Sequence, residues 1–156
     1  MKKTTNLVWG GRFKKQSSDL LEEINNSIDF DYVLAEEDIR LNRSYAKSLL
    51  KSKILKKEEF NKIELALNDI SDEIKKGNFK FSNKYEDIHM NIEMALKKKI
   101  GRLSGKIHTG KSRNDQVVTD LKLWTKNKLK VVIYKLKKIQ ISIIKKAEIN
   151  IDVIMP

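Results

Sequence analysis

The chain has no cysteine among its 156 residues, so neither a disulfide framework nor a thiolate metal site is open to it. A single proline and six glycines leave long stretches free of helix breakers. Aromatic residues make up only 7%. No apolar run approaches the length of a membrane span, and no signal peptide precedes the first motif, so a cytoplasmic location and no membrane partner are expected.

What is present is charge. Charged residues make up 35% and apolar residues 40%, the balance of a globular helical protein with a sizeable core. The net charge of +12 raises nucleic acid as a partner. The lysines, however, are spread over every helix face and form no stripe, and no recognition module accompanies them. A solvated surface is the simpler reading, and no nucleic-acid partner is expected.

The apolar spacing predicts helices throughout. Leu20, Leu21 and Ile24 follow Ser17 or Ser18 as cap, and Asn25-Asn26-Ser27 ends that helix. Ala35, Ile39, Ala46, Leu49 and Leu50 share a face over about Tyr32 to Ser52, with Asn42 interrupting the stripe. Phe60, Ile63, Leu67, Ile70 and Ile74 define a second helix stopped at Gly77. Glu86 and Asp87 open a third, with Ile88, Ile92 and Leu96 inward. From about Arg113 to Asn150, Val118, Leu121, Leu129, Val132, Leu136, Ile139 and Ile143 repeat without a breaker. Val131, Ile133, Ile141 and Ile144 on its flanks are more apolar surface than one neighbour covers, which predicts further helical partners.

The stretch with most chemistry is Gly105-Lys-Ile-His-Thr-Gly-Lys-Ser-Arg-Asn-Asp-Gln-Val-Val-Thr-Asp120. It reads as a polar loop, turned at Gly105 and Gly110, that runs into the longest helix. Ser112, Asn114 and Asp115 are cap-type residues at the helix start, where free N–H groups and the dipole favour an anion. Arg113 with the Ser112 and Asn114 side chains adds donors suited to carboxylates. An acidic small molecule is therefore the expected ligand. Gly105 to Ser112 also satisfies the phosphate-loop pattern G-x-x-x-x-G-K-[ST], but Lys97 to Ser104 before it do not read as the buried strand that pattern requires. A nucleotide-binding protein, and a non-catalytic helical interaction module, stay as alternatives.

His108-Thr-Gly-Lys-Ser-Arg-Asn-Asp-Gln-Val-Val-Thr-Asp-Leu-Lys-Leu-Trp124 resembles the signature of the argininosuccinate lyase family, within the fumarase/aspartase superfamily. Leu7-Val-Trp-Gly-Gly-Arg-Phe13, Asn26-Ser-Ile-Asp-Phe-Asp31 and Glu86-Asp-Ile-His89 resemble further motifs of that family, in order and at matching separations. The family usually has arginine where this chain has Lys111, and lysine keeps the charge but loses the planar fork.

The resemblance implies an all-α fold: a small helical domain at residues 1–111, then the first long helix of a central helical bundle at 112–156. It implies β-elimination of argininosuccinate to arginine and fumarate, without metal or organic cofactor, by a homotetramer whose sites draw on several subunits. Ser27, Ser112, Arg113 and Asn114 map onto substrate contacts, and Arg12, Asp87, His89 and Thr109 onto active-site neighbours. On spacing alone Ser27 reads equally as a turn residue, Asp87 as a dipole partner and His89 as a packed core histidine. His89 and His108 lack the companions of a metal site. The family's base serine and catalytic histidine lie further along than Val153-Ile-Met-Pro156. The chain is thus expected to be the amino-terminal third of an enzyme, catalytically incomplete alone.

Overall fold

The computed structural model describes residues 23–154, so Arg12 and the motif around it lie outside the described residues. Every described element is helical: α1 at Ile28–Asp31, a 3-10 turn at Tyr32–Leu34, α2 at Ala35–Lys51, α3 at Lys57–Lys75, α4 at Ile88–Ile100, a 3-10 helix at Gly101–His108 and α5 at Arg113–Ile149. No strand occurs among them, so the chain is all-α.

Each helix is delimited by local chemistry. Glu36, Glu37 and Asp38 stand in the first turn of α2, where the dipole favours acids. Glu59 reaches back to the Lys56 N–H at 2.9 Å to start α3. Gly77 ends that helix with φ +70°, a left-handed conformation that costs glycine little. Asp87 caps α4 by accepting from the Met90 N–H at 2.6 Å. Gly101, at φ +60°, ends α4 after three lysines that suit its C-terminus.

The apolar faces meet in one core. Ile39, Ala46 and Leu49 of α2 pack with Ile63, Leu67 and Ile70 of α3 and Ile88, Ile92 and Leu96 of α4, all nearly or fully buried. The foot of α5 leans on α2, with Trp124 against the core. Beyond Trp124 every described residue of α5 and its tail is exposed. At 1.5 Å per residue the 37-residue helix is roughly 55 Å long, and most of that length is exposed among the described residues.

Three expectations are corrected. The α2 pattern begins as a 3-10 turn over Tyr32–Leu34. Glu86 stays outside α4, because the Asp87 carboxylate is the cap and helical geometry starts after it. Gly105 is not a left-handed turn: it lies inside the 3-10 helix, and Gly110 alone takes positive φ in that stretch. The physical reason is burial, since the helical path directs Ile107 into the core and Leu103 against it. The phosphate-loop pattern thus begins within the 3-10 helix that follows α4 and ends in the bend before α5, without the strand that reading needs.

Candidate functional site around the start of helix α5

Gly110 makes the bend into α5. Its φ is +70°, and a Cβ built there would sit 3.6 Å from the Tyr45 hydroxyl. Tyr45 closes the turn by donating to the Thr109 carbonyl at 2.8 Å, while the Thr109 side chain is exposed. The helix then opens with a reciprocal cap. Ser112 Oγ accepts from the Asn114 N–H at 3.2 Å, and Asp115 accepts from the Ser112 N–H at 3.2 Å. Among the described residues the Ser112 hydroxyl has no acceptor for its own proton. Asn114 is exposed, and its side-chain amide meets no partner among the described residues.

Arg113 is held differently from its two neighbours. It faces Glu93 of α4 with both terminal nitrogens, each 3.2 Å from a carboxylate oxygen, and also donates to Gln116 Oε1 at 3.0 Å. Its Nε lies 3.8 Å from Asp87, and His108 Nδ1 lies 3.4 Å from Glu93. The guanidinium is therefore fixed in direction and partly neutralised.

Ser27 belongs to the same face. Its N–H donates to the Glu86 carbonyl at 2.8 Å, and its hydroxyl donates to Asp31 at 2.7 Å. Asp31 in turn accepts from the Ile88 N–H at 3.1 Å. Burial raises Asp31, and burial followed by the Asp87 charge raises Glu86. The fold thus brings Ser27, Asp87 and Arg113 to one side of the α5 start, although 86 residues separate the first from the last.

His89 does not open onto that surface. It is buried at 2% exposure, with Nδ1 donating to Asp38 Oδ1 at 2.9 Å and lying 3.4 Å from Asp120 Oδ2. Asp38 also accepts from Asn42 Nδ2 at 2.9 Å and from Gln116 Nε2. Burial alone would raise Asp38, but the His89 bond and charge and the Gln116 bond outweigh it and hold that carboxyl low. Asp120 is the reverse case. Burial first, then the Asp38 charge beside it, push it up to about 9, and no described group donates a hydrogen bond to either of its oxygens. Lys111 Nζ closes the network at 2.7 Å from Asn42 Oδ1, with its pKa lowered chiefly by burial.

Asp38, His89 and Asp120 place three ligand-type atoms within 4.8 Å of one another. We do not read them as metal ligands. His89 Nδ1 is committed to Asp38, and the Lys111 ammonium already brings positive charge to this pocket. On the other side of the bend, a groove of about 560 Å³ runs between α2 and α5, lined by Arg40, Tyr45, Lys111, Asp115 and Thr119 among others.

The residues that sequence reasoning missed are Asp38, Gln116, Asp120 and Glu93. Their signal was positional. Asp38 and Asn42 stand four apart on α2, Gln116 and Asp120 four apart on α5, and both pairs put polar groups where a helix faces its neighbour.

The chain belongs to the lyase family, whose sequence pattern matches residues 11–156. It is similar to the argininosuccinate lyase of Ehrlichia ruminantium strain Welgevonden, at 48% identity over 97% of this chain and 33% of that protein. Argininosuccinate lyases of Pelagibacter ubique, at 45% identity over 96% of the chain, and Limosilactobacillus reuteri, at 43% over 96%, are similar in the same way, each over 32% of its own length. The chain spans about a third of the length of these curated relatives.

Proposed function

We propose that this chain is the amino-terminal portion of an argininosuccinate lyase, acting in arginine biosynthesis. The observation that supports the reading best is the α5 start: a capped helix N-terminus whose Ser112 hydroxyl proton and Asn114 amide have no acceptor among the described residues, in a chain similar to argininosuccinate lyases over nearly its whole length. The division at residues 1–111 and 112–156 belongs to the same proposal, as do a homotetramer and a cytoplasmic location.

In this reaction a base removes a proton from the carbon next to a carboxylate of argininosuccinate. The carbon–nitrogen bond then breaks, giving fumarate and the guanidinium of arginine. The difficult species carries extra negative charge on that carboxylate. Fixed donors aimed at it lower the barrier without reorganising, and no cofactor is needed. Ser112 and Asn114 are the donors we assign to that charge. Arg113, held by Glu93 and Asp87, contributes a directed positive field and the wall between α4 and α5. Ser27 binds the amino-acid end of the substrate, and Arg12, Asp87, His89 and Thr109 are the neighbours of the site. The base serine and the catalytic histidine come from chain beyond residue 156.

The test is complementation. This chain mixed or co-expressed with the carboxy-terminal portion of a relative should release fumarate from argininosuccinate, and the chain alone should release none. Magnesium-dependent nucleotide binding by the chain, or no fumarate from a properly assembled complex, would overturn the reading.

A further inference from the structure

We propose that Asp38 is a positioning residue: a buried anion that ties α2, α4 and the foot of α5 together and so fixes the helix start before a substrate reaches it. The inference deepens the proposed function and rests on it for the word substrate, but the geometry stands on its own.

Asp38 is fully buried, and each of its contacts reaches a different part of the site. Asn42, one turn along α2, donates to Oδ2 at 2.9 Å. His89 donates from α4 to Oδ1 at 2.9 Å. Gln116 donates to the same oxygen from the second turn of α5. Asn42 then passes the connection outward by accepting from Lys111 Nζ at 2.7 Å, on the bend itself. A buried carboxylate is expensive unless donors surround it, and here the donors come from three elements that share no sequence neighbourhood. Rotating α5 about its axis, or sliding it one residue, would strip Gln116 from Asp38, leaving the Gln116 amide N–H buried without its acceptor and the carboxylate short of one donor. Apolar packing along the same face tolerates such slips far better, because it has no direction.

Asp120, one turn beyond Gln116, plays a different part. It is also fully buried and close to Asp38, yet among the described residues no hydrogen bond is donated to either of its oxygens. Two carboxylates cannot both hold a charge in one dry pocket, and the one without donors keeps its proton. The pair is therefore asymmetric: Asp38 is the anion and Asp120 a neutral acid. The high pKa of Asp120 agrees with that assignment.

The asymmetry gives a test that separates positioning from packing. Asp120→Asn replaces a neutral acid with a neutral amide of the same shape, whereas Asp38→Asn removes the anion that the donors surround. In the 156-residue chain, amide hydrogen exchange of residues 116–124 is compared with that of the α3 core around Ile63 and Leu67. Asp38→Asn should cost the α5 foot at least about tenfold in protection relative to the α3 core, and Asp120→Asn less than about twofold. Ile63→Val, a core truncation away from the cluster, should lower both regions together. If Asp38→Asn does not fold, Gln116→Met cuts one arm and should still deprotect the α5 foot selectively.

In the complemented enzyme, Gln116→Met should lower kcat by about tenfold and change KM less than about threefold. Equal loss of protection in both regions, equal damage from the two Asp→Asn changes, or an effect confined to KM would each overturn the proposal. Exchange needs no catalysis. A selective loss of protection in Asp38→Asn beside an inactive assembly would therefore sink the lyase reading and leave the positioning role standing.

Discussion

Lys111 Nζ donates to Asn42 Oδ1 at 2.7 Å and lies 5.4 Å from the centre of the Tyr45 ring, so the bend before α5 is fastened to the middle of α2 by a half-buried cation. This is the position where the resembled family usually carries arginine. A guanidinium keeps the charge, reaches as far, and stacks well on an aromatic face. Lys111→Arg should therefore hold kcat/KM of the complemented enzyme within about threefold. Lys111→Met, which leaves Asn42 Oδ1 buried without its donor, should destabilise the fold by about 1–3 kcal/mol in chemical denaturation. A nucleotide-binding loop would behave oppositely, losing its ligand in Lys111→Arg.

Asn114 is exposed and its side-chain amide is unengaged among the described residues, so its removal should cost the fold little. In the complemented enzyme Asn114→Ala should lower kcat/KM by at least about tenfold, because a developing carboxylate charge loses a fixed donor. Steady-state kinetics beside a melting curve checks both halves. Unchanged kinetics would remove Asn114 from the site.

The buried acid beneath the helix start predicts how stability depends on pH. Asp120 has a folded pKa of about 9 against an ordinary value of 3.8, so the folded chain keeps a proton that the unfolded chain releases. Its contribution is fully present below about pH 4 and is progressively lost as pH rises toward 9. Asp38 and Glu37 on α2, His89 on α4 and Lys111 on the bend are the charged or titratable groups around it. Asp120→Asn cannot lose the proton. Its melting temperature should gain on the parent by about 5 °C or more between pH 5 and pH 9. A constant difference across that range would contradict the assignment.

The free length of α5 predicts association. Leu129, Val132, Leu136, Ile139 and Ile143 are each about half exposed and repeat at helical spacing. Contiguous apolar surface of this kind seeks a partner. The chain should sediment as an oligomer or aggregate at micromolar concentration, and Leu136→Glu with Ile139→Glu should shift it toward monomer. A monodisperse parent monomer would contradict this.

The apolar repeats were legible because helices α2 to α4 bury one stripe each, and a helical stripe is a local property of sequence; α5 carries such a stripe too but leaves it exposed. Gly77 and Ser112 were legible as stop and start for the same local reason. What sequence spacing did not disclose was how polar groups pair across helices. Arg113 and Glu93 are 20 residues apart, and Asp38 and Gln116 are 78 apart, so only the packing of α2, α4 and α5 makes them partners. Asn42 was visible as an interruption of the α2 stripe that suggests a polar contact, but its partners Asp38 and Lys111 were not. Gly105 misled because a glycine in a polar stretch suggests a turn, whereas the burial of Ile107 kept that stretch helical.

The arrest of α5 at its lower end has a mechanical side. Beyond Asp120 the helix continues for 29 residues, roughly 45 Å, whereas Ser112 lies only about 12 Å below it. With the fulcrum so close to the foot, a sideways swing at the far tip arrives at Ser112 diminished about fourfold. The long arm can thus sway against whatever covers it while the donors at its base hardly stir.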